Sequence, residues 1–250
     1  MPKLDQAEGA KKDMKAIGLI GGMSWESTVE YYRIINQEVN RRLGGLHSGK
    51  ILMASVDFGE IEVLMREGRW EEVGDHMSGI AKILEKGGSD LLLLCTNTVH
   101  KVAERIERAV RIPFIHIADA AGEEITRKGL EKVGLLGTRY TMEEGFYRDR
   151  LAEKFGLSIL IPPDEERGII NDVIFNELCL GVTRRSSKDQ FKEAIEGLVA
   201  RGAEGIILGC TEIPMLINEE DSAVPLFDTT LIHALRAVDL ALTRSCPPPG

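Results

Sequence analysis

The chain has 250 residues, with 40 Asp and Glu against 31 Lys and Arg, and a net charge of −9. A length near 250 suits one large or two small α/β domains. The acidic balance and the lack of a basic stripe argue against a nucleic-acid partner. The longest apolar run, Leu91 to Leu94, is far short of the ~20 residues a membrane helix needs.

Residues 1–13 are charged and lack an apolar core, so they read as a disordered extension and not as a secretory signal. Met14 is an alternative start. Eight short apolar runs follow: Ala16–Ile20, Ile51–Val56, Leu91–Cys95, Phe114–Ile117, Lys132–Leu136, Leu157–Ile161, Gly205–Gly209 and Val224–Phe227. They are continuous, as strands buried on both faces are. Helical spacing lies between them: Trp70, Val73, Met77, Ile80 and Leu84; Val99, Val102, Ala103, Ile106 and Val110; then Phe191 to Val199 and Leu231 to Leu242. Alternating strands and helices imply parallel sheets flanked by helices.

The chain repeats itself. Lys15–Gly22 resembles Lys132–Thr138, and Lys86–Thr98 resembles Ala200–Glu212, at offsets of 116 and about 115. The repeat predicts two pseudo-symmetric α/β domains with a site in the cleft between them. The expected division is 14–115 plus 217–243 for the first domain and 116–216 for the second, with a disordered tail at 244–250.

Two polar turns close apolar strands. Cys95-Thr96-Asn97-Thr98 ends the first, and Gly209-Cys210-Thr211-Glu212 the second. Asn97 and Thr98 suit helix capping, but one cap would suffice, and such clusters also bind carboxylates. Cys210, ahead of an expected helix, would have its thiol pKa lowered from about 8.5. Sequence periodicity leaves open whether Thr96 or Cys95 is the counterpart of Cys210. The turn Gly18, Gly21, Gly22 is G-x-x-G-G, which is not a dinucleotide fingerprint, and reads as backbone approach to a small ligand. The four cysteines, Cys95, Cys179, Cys210 and Cys246, form no C-x-x-C pair and fit reduced, cytoplasmic usage. His47, His76, His116 and His233 lack metal-ligand spacing, and His100 reads as a cap or packing residue. Arg66 and Arg69 read as a solvated face.

The two turns, with the opening Gly-Leu-Ile-Gly-Gly-Met-Ser-Trp-Glu-Ser-Thr, resemble the aspartate/glutamate racemase family of the Asp/Glu/hydantoin racemase superfamily. The resemblance covers about residues 14–242. It implies a cofactor-independent amino-acid racemase, an isomerase without pyridoxal phosphate or metal, with a small-molecule amino-acid substrate and a homodimeric state. It also implies a last helix that returns to the first domain. Two-base proton transfer would use Cys210 and Thr96. Asn97, Thr98, Thr138, Thr141 and Thr211 would stabilise the carbanion and carboxylate, Met23 would line the floor, and Glu212 would bind the ammonium or orient Cys210.

The chain departs from its relatives twice. Thr96 stands where many carry the first cysteine, and strand alternation turns Cys95 to the core and Thr96 to the cleft. Cys179 lies where relatives selective for acidic substrates often carry a lysine, which weakens the expectation of Asp/Glu selectivity. A single-thiol decarboxylase or isomerase of small carboxylic acids, or a non-catalytic amino-acid-binding protein, are the alternatives.

Overall fold

The computed structural model describes residues 14–243; the expected extension, the tail and Cys246 lie outside the described residues. The first sheet contains β1 (Ile17–Gly21), β2 (Ile51–Ser55), β3 (Leu91–Leu94) and β4 (Phe114–Ile115), all parallel, in the order β2-β1-β3-β4. The second contains β5 (Lys132–Gly137), β6 (Ser158–Leu160), β7 (Ile206–Gly209) and β8 (Leu226–Asp228), again parallel, in the order β6-β5-β7-β8. The two orders are the same one repeated. Each expected apolar run contains one strand.

Helices cover the sheets. In the first half these are α1 (Trp25–Leu43), α2 (Phe58–Arg66), α3 (Trp70–Lys86), α4 (Ala103–Ala109) and α5 (Ile117–Arg127). In the second they are α6 (Arg139–Glu143), α7 (Gly145–Phe155), α8 (Asp164–Asn176), α9 (Arg185–Ala200) and α10 (Thr229–Leu242). Alternation divides each central strand between two cores. Ile17, Leu19, Leu91 and Leu93 pack with Tyr31, Ile35 and Val238, whereas Ile20, Leu92 and Leu94 pack with Val73 and Met77. Burying each such side chain contributes about 1.5–3 kcal/mol.

The repeat extends to packing. A Cβ on Gly18 would lie 2.5 Å from Leu92 Cδ2, and one on Gly134 would lie 2.7 Å from Ile206 Cδ1. Both glycines let the neighbouring strand's side chain cross over them. The expected ligand-approach role of the G-x-x-G-G turn is corrected in the same way. The space beside Gly21 is filled by Thr28, and that beside Gly22, at φ +93°, by the Val56 backbone.

One boundary also differs from expectation. Residues 226–228 pair with β7, so this part of 217–243 extends the second sheet. The following α10 packs Ala234, Ala237 and Val238 into the core beside β1 and β3. A strand of three residues carries too little pattern to indicate its sheet.

Five of the helices that follow strands start at side-chain caps, whereas α8 and the turn after β3, at Asn97, do not. Ser24, Asp57, His116, Thr138 and Asp228 each accept a backbone N–H at the start of α1, α2, α5, α6 and α10. These caps satisfy otherwise unpaired amides. They also fix the loops at the carboxyl ends of the strands, where ligands bind in open α/β sheets.

Candidate active site

The strand register settles the correspondence of the two polar turns. Ile20 pairs with Leu94, and Leu136 pairs with Leu208. The offset of 116 puts Ile20 opposite Leu136, so Leu94 corresponds to Leu208. Two residues further on, Thr96 corresponds to Cys210, and Cys95 to Gly209. Cys95 continues the inward face of Leu91 and Leu93 and is fully buried in that core.

Thr96 and Cys210 line one narrow cavity, with room for about 20 Å³ of water-sized volume. Met23, Asn97, Thr98, Thr138, Thr211 and Glu212 line it too. Hydrogen bonds join the turns around it. The Thr98 and Thr138 hydroxyls are 2.9 Å apart, and Ser24 Oγ donates to Glu212 Oε1 at 2.6 Å. Thr141 is a correction: it is fully buried and does not line the cavity. Its hydroxyl lies 3.2 Å from Thr138 Oγ1, so it supports Thr138 from behind.

Asn97 is oriented by a chain of donors. Its Nδ2 donates to Thr229 Oγ1 at 3.1 Å, and Thr229 donates to the Leu208 carbonyl at 2.8 Å. That leaves Asn97 Oδ1 buried without a partner. An orphaned acceptor in a buried site is costly, and an incoming ammonium would satisfy it.

Glu212 collects three donors. Besides Ser24, Thr211 Oγ1 and Cys210 Sγ each donate to Oε2 at 2.9 Å. Burial pushes the Cys210 thiol well above its ordinary pKa, and the Glu212 carboxylate adds to the rise. The expectation of a thiol acidified by a helix is therefore overturned. Only a three-residue 3-10 turn, Ile213–Met215, follows Cys210, and Pro214 lies in its first turn. So short a turn sums few peptide dipoles, whereas the carboxylate beside the thiol is a full charge.

Behind Thr96 lies a buried cluster of His100, His116 and His233, of which the sequence suggested only a cap or packing role for His100. His100 Nδ1 donates to the Thr96 carbonyl at 2.6 Å, while its Nε2 accepts the Ile117 N–H. The His100 ring centroid is 4.5 Å from His116 and 5.9 Å from His233. His233 Nε2 donates to the Ile115 carbonyl, and its Nδ1 accepts from Tyr31. Burial holds all three imidazoles below their ordinary pKa, and the charge of Arg150 adds to this at His100 and His116. Among the described residues no group of His, Cys, Asp or Glu is arranged to hold a metal ion, and no helix is long and apolar enough to cross a membrane.

The remaining wall was missed in the sequence. Phe58 and Met65 of α2, Val99, and Ile174 and Phe175 of α8 line the cavity with Cys179. They belong to distant segments without a shared motif. Among them only Val99 falls in a helical stripe visible in the sequence. Arg66 and Arg69 are exposed and face Glu62, and Glu67 with Glu72.

The Asp/Glu/Hydantoin racemase family model matches residues 20–237. The chain belongs to this family. A candidate Asp/Glu racemase of known structure from Yersinia pestis is 53% identical, covering 92% of this chain and all of that one, with a TM-score of 0.87. An aspartate racemase homologue from Pyrococcus horikoshii OT3 is 36% identical, covering 91% and 99%, with a TM-score of 0.78. The broad specificity amino-acid racemase RacX of Bacillus subtilis (strain 168) is 26% identical over 64% of this chain and 68% of its own. The chain spans between 48% and 61% of the length of the glutamate racemases it matches, which include those of Persephonella marina and Aquifex pyrophilus. In this racemase family member, the cavity holding Thr96 and Cys210 is the candidate active site.

Proposed function

We propose that the chain is a cofactor-independent amino-acid racemase with one thiol, Cys210, and one hydroxyl, Thr96, as its proton-transfer groups. The observation that carries this reading is that these two side chains occupy equivalent positions of the repeat and line one buried cavity. Membership of a racemase family supports it.

The substrate ammonium would sit against Asn97 Oδ1 and Glu212, and the carboxylate against the hydroxyls of Thr98, Thr138 and Thr211. Placing charge-matched donors in a dry site stabilises the carbanion where its charge develops. Cys210 begins as a thiol. The arriving ammonium offsets the field of Glu212 and lowers the thiol's proton affinity, and the thiol gives its proton to solvent. The thiolate then takes the α-proton from one face. Thr96 Oγ1 delivers a proton to the other face. Cys210 is left as a thiol and Thr96 regains a proton from solvent, so the site ends as it began.

A threonine hydroxyl is a far weaker acid than a thiol. Proton removal is therefore fast from the enantiomer whose α-hydrogen faces Cys210 and slow from the other. We assign the fast direction to the L-enantiomer because L-amino acids are the abundant supply. Cys210→Ala tests the reading: racemisation should be lost in a protein that still folds, and near-native turnover would reject it.

A further inference from the structure

We propose that the cavity takes an amino acid with an uncharged, apolar side chain, and excludes a dicarboxylic one. The proposal rests on the racemase reading for chemistry at the α-carbon and extends it to the side chain. The polar atoms of the cavity suffice for one carboxylate and one ammonium. The wall left for the side chain is apolar: Phe58, Met65, Ile174, Phe175 and Cys179.

No Lys, Arg or His lines the cavity among the described residues, and its one charged group is Glu212. A second carboxylate is already close. Glu26 Oε2 is buried without a hydrogen-bond partner. Burial first, then the carboxylates of Glu212 and Glu26, hold the Cys179 thiol above its ordinary range. The Cys179 end of the cavity is thus both apolar and negative in potential. A substrate side-chain carboxylate there would be desolvated, unpaired and repelled.

The outer groove beyond Phe175 offers no escape. It carries Glu62, Glu143, Glu144 and Asp172 against Arg66 and Arg139. Arg139 is bonded to Glu143 and Asp164, and Arg66 is exposed beside Glu62. A cationic side chain fares no better inside. The substrate's own ammonium already takes Glu212, the one charged group of the cavity, and Glu26 does not line the cavity.

The test measures binding and turnover separately on the full chain. Calorimetric titration with L-methionine, L-glutamate and L-lysine reads side-chain preference, and α-proton exchange in deuterated water reads racemisation. L-methionine should bind about a hundredfold more tightly than L-glutamate, which corresponds to about 2.8 kcal/mol at 1.4 kcal/mol per tenfold. Cys179→Lys should shift that ratio toward L-glutamate by tenfold or more, and Phe175→Arg provides the same cation from α8 should the first variant fail to fold. L-glutamate binding as tightly as L-methionine, L-lysine binding tightest, or no binding of any of the three would overturn the proposal. Selective L-methionine binding without exchange would uphold the side-chain class and reject the racemase reading instead.

Discussion

Lowering the pH from 7.5 to 5.0 should destabilise the fold through the three buried histidines. In the unfolded chain these imidazoles bind protons below about pH 6.5. In the folded chain burial holds His233 down at about 4 and keeps His100 and His116 well below 6.5. The unfolded state therefore binds more protons, and stability rises with pH across this window. The contribution is fully present above pH 6.5 and is lost as pH falls toward the folded values. For His233 the loss at pH 5 is about 2 kcal/mol, at about 1.4 kcal/mol per pH unit below 6.5. His100 and His116 add to the loss in the same direction, and the His233 share alone is large against a total stability of about 5–15 kcal/mol for a typical domain. Asp228 and Glu107, raised by burial, act in the opposite sense and offset part of this. The assay is urea unfolding at half-unit pH steps, with His116→Asn as control. Asn keeps a cap for the Ala118 N–H that His116 Nδ1 now accepts and removes one titration, so the slope should fall by about 1.4 kcal/mol per pH unit. Equal stability at pH 7.5 and 5.0, or an unchanged slope in His116→Asn, would refute the reasoning.

Cys95→Ala should cost about 1 kcal/mol, as a small core truncation does, with racemisation retained; loss of activity in a folded protein would make Cys95 a proton-transfer group. Gly22→Ala should destabilise by about 2 kcal/mol or more, because its positive φ and the Val56 backbone leave no place for a methyl group. A melting temperature within a degree of the native one would contradict that packing. Glu212→Gln should lower turnover at least tenfold and lower the pH midpoint of Cys210 alkylation, since the carboxylate now helps to hold the thiol up; an unchanged midpoint would show that Glu212 does not control the thiol.

Much of the fold was legible because parallel strands buried on both faces leave continuous apolar runs. Each of the eight runs holds a strand. Alternation was equally informative at the end of β3, where it sends Cys95 into the core and leaves Thr96 on the cavity. Three features were out of reach for physical reasons. The sheet membership of β8 depends on a partner strand that three residues do not specify. The thiol of Cys210 is controlled by burial and by a carboxylate two positions away, and neither distance nor burial is written in a strand-end motif. The apolar wall comes from α2 and α8, which are more than 100 residues apart and meet only in the folded chain. Asn97 was visible as a site residue, but its unpartnered oxygen follows from Thr229, which no motif connects to it.

The central claim is that proton transfer uses one thiol and one hydroxyl. Its most direct measurement is α-proton exchange in deuterated water, started separately from each pure enantiomer of methionine and of glutamate. It is run on the native chain, Cys210→Ala and Thr96→Cys. The account predicts fast exchange from one enantiomer and slow exchange from the other, none in Cys210→Ala, and a gain from the slow enantiomer in Thr96→Cys. Equal rates from both enantiomers in the native chain, or exchange that survives Cys210→Ala, would contradict it.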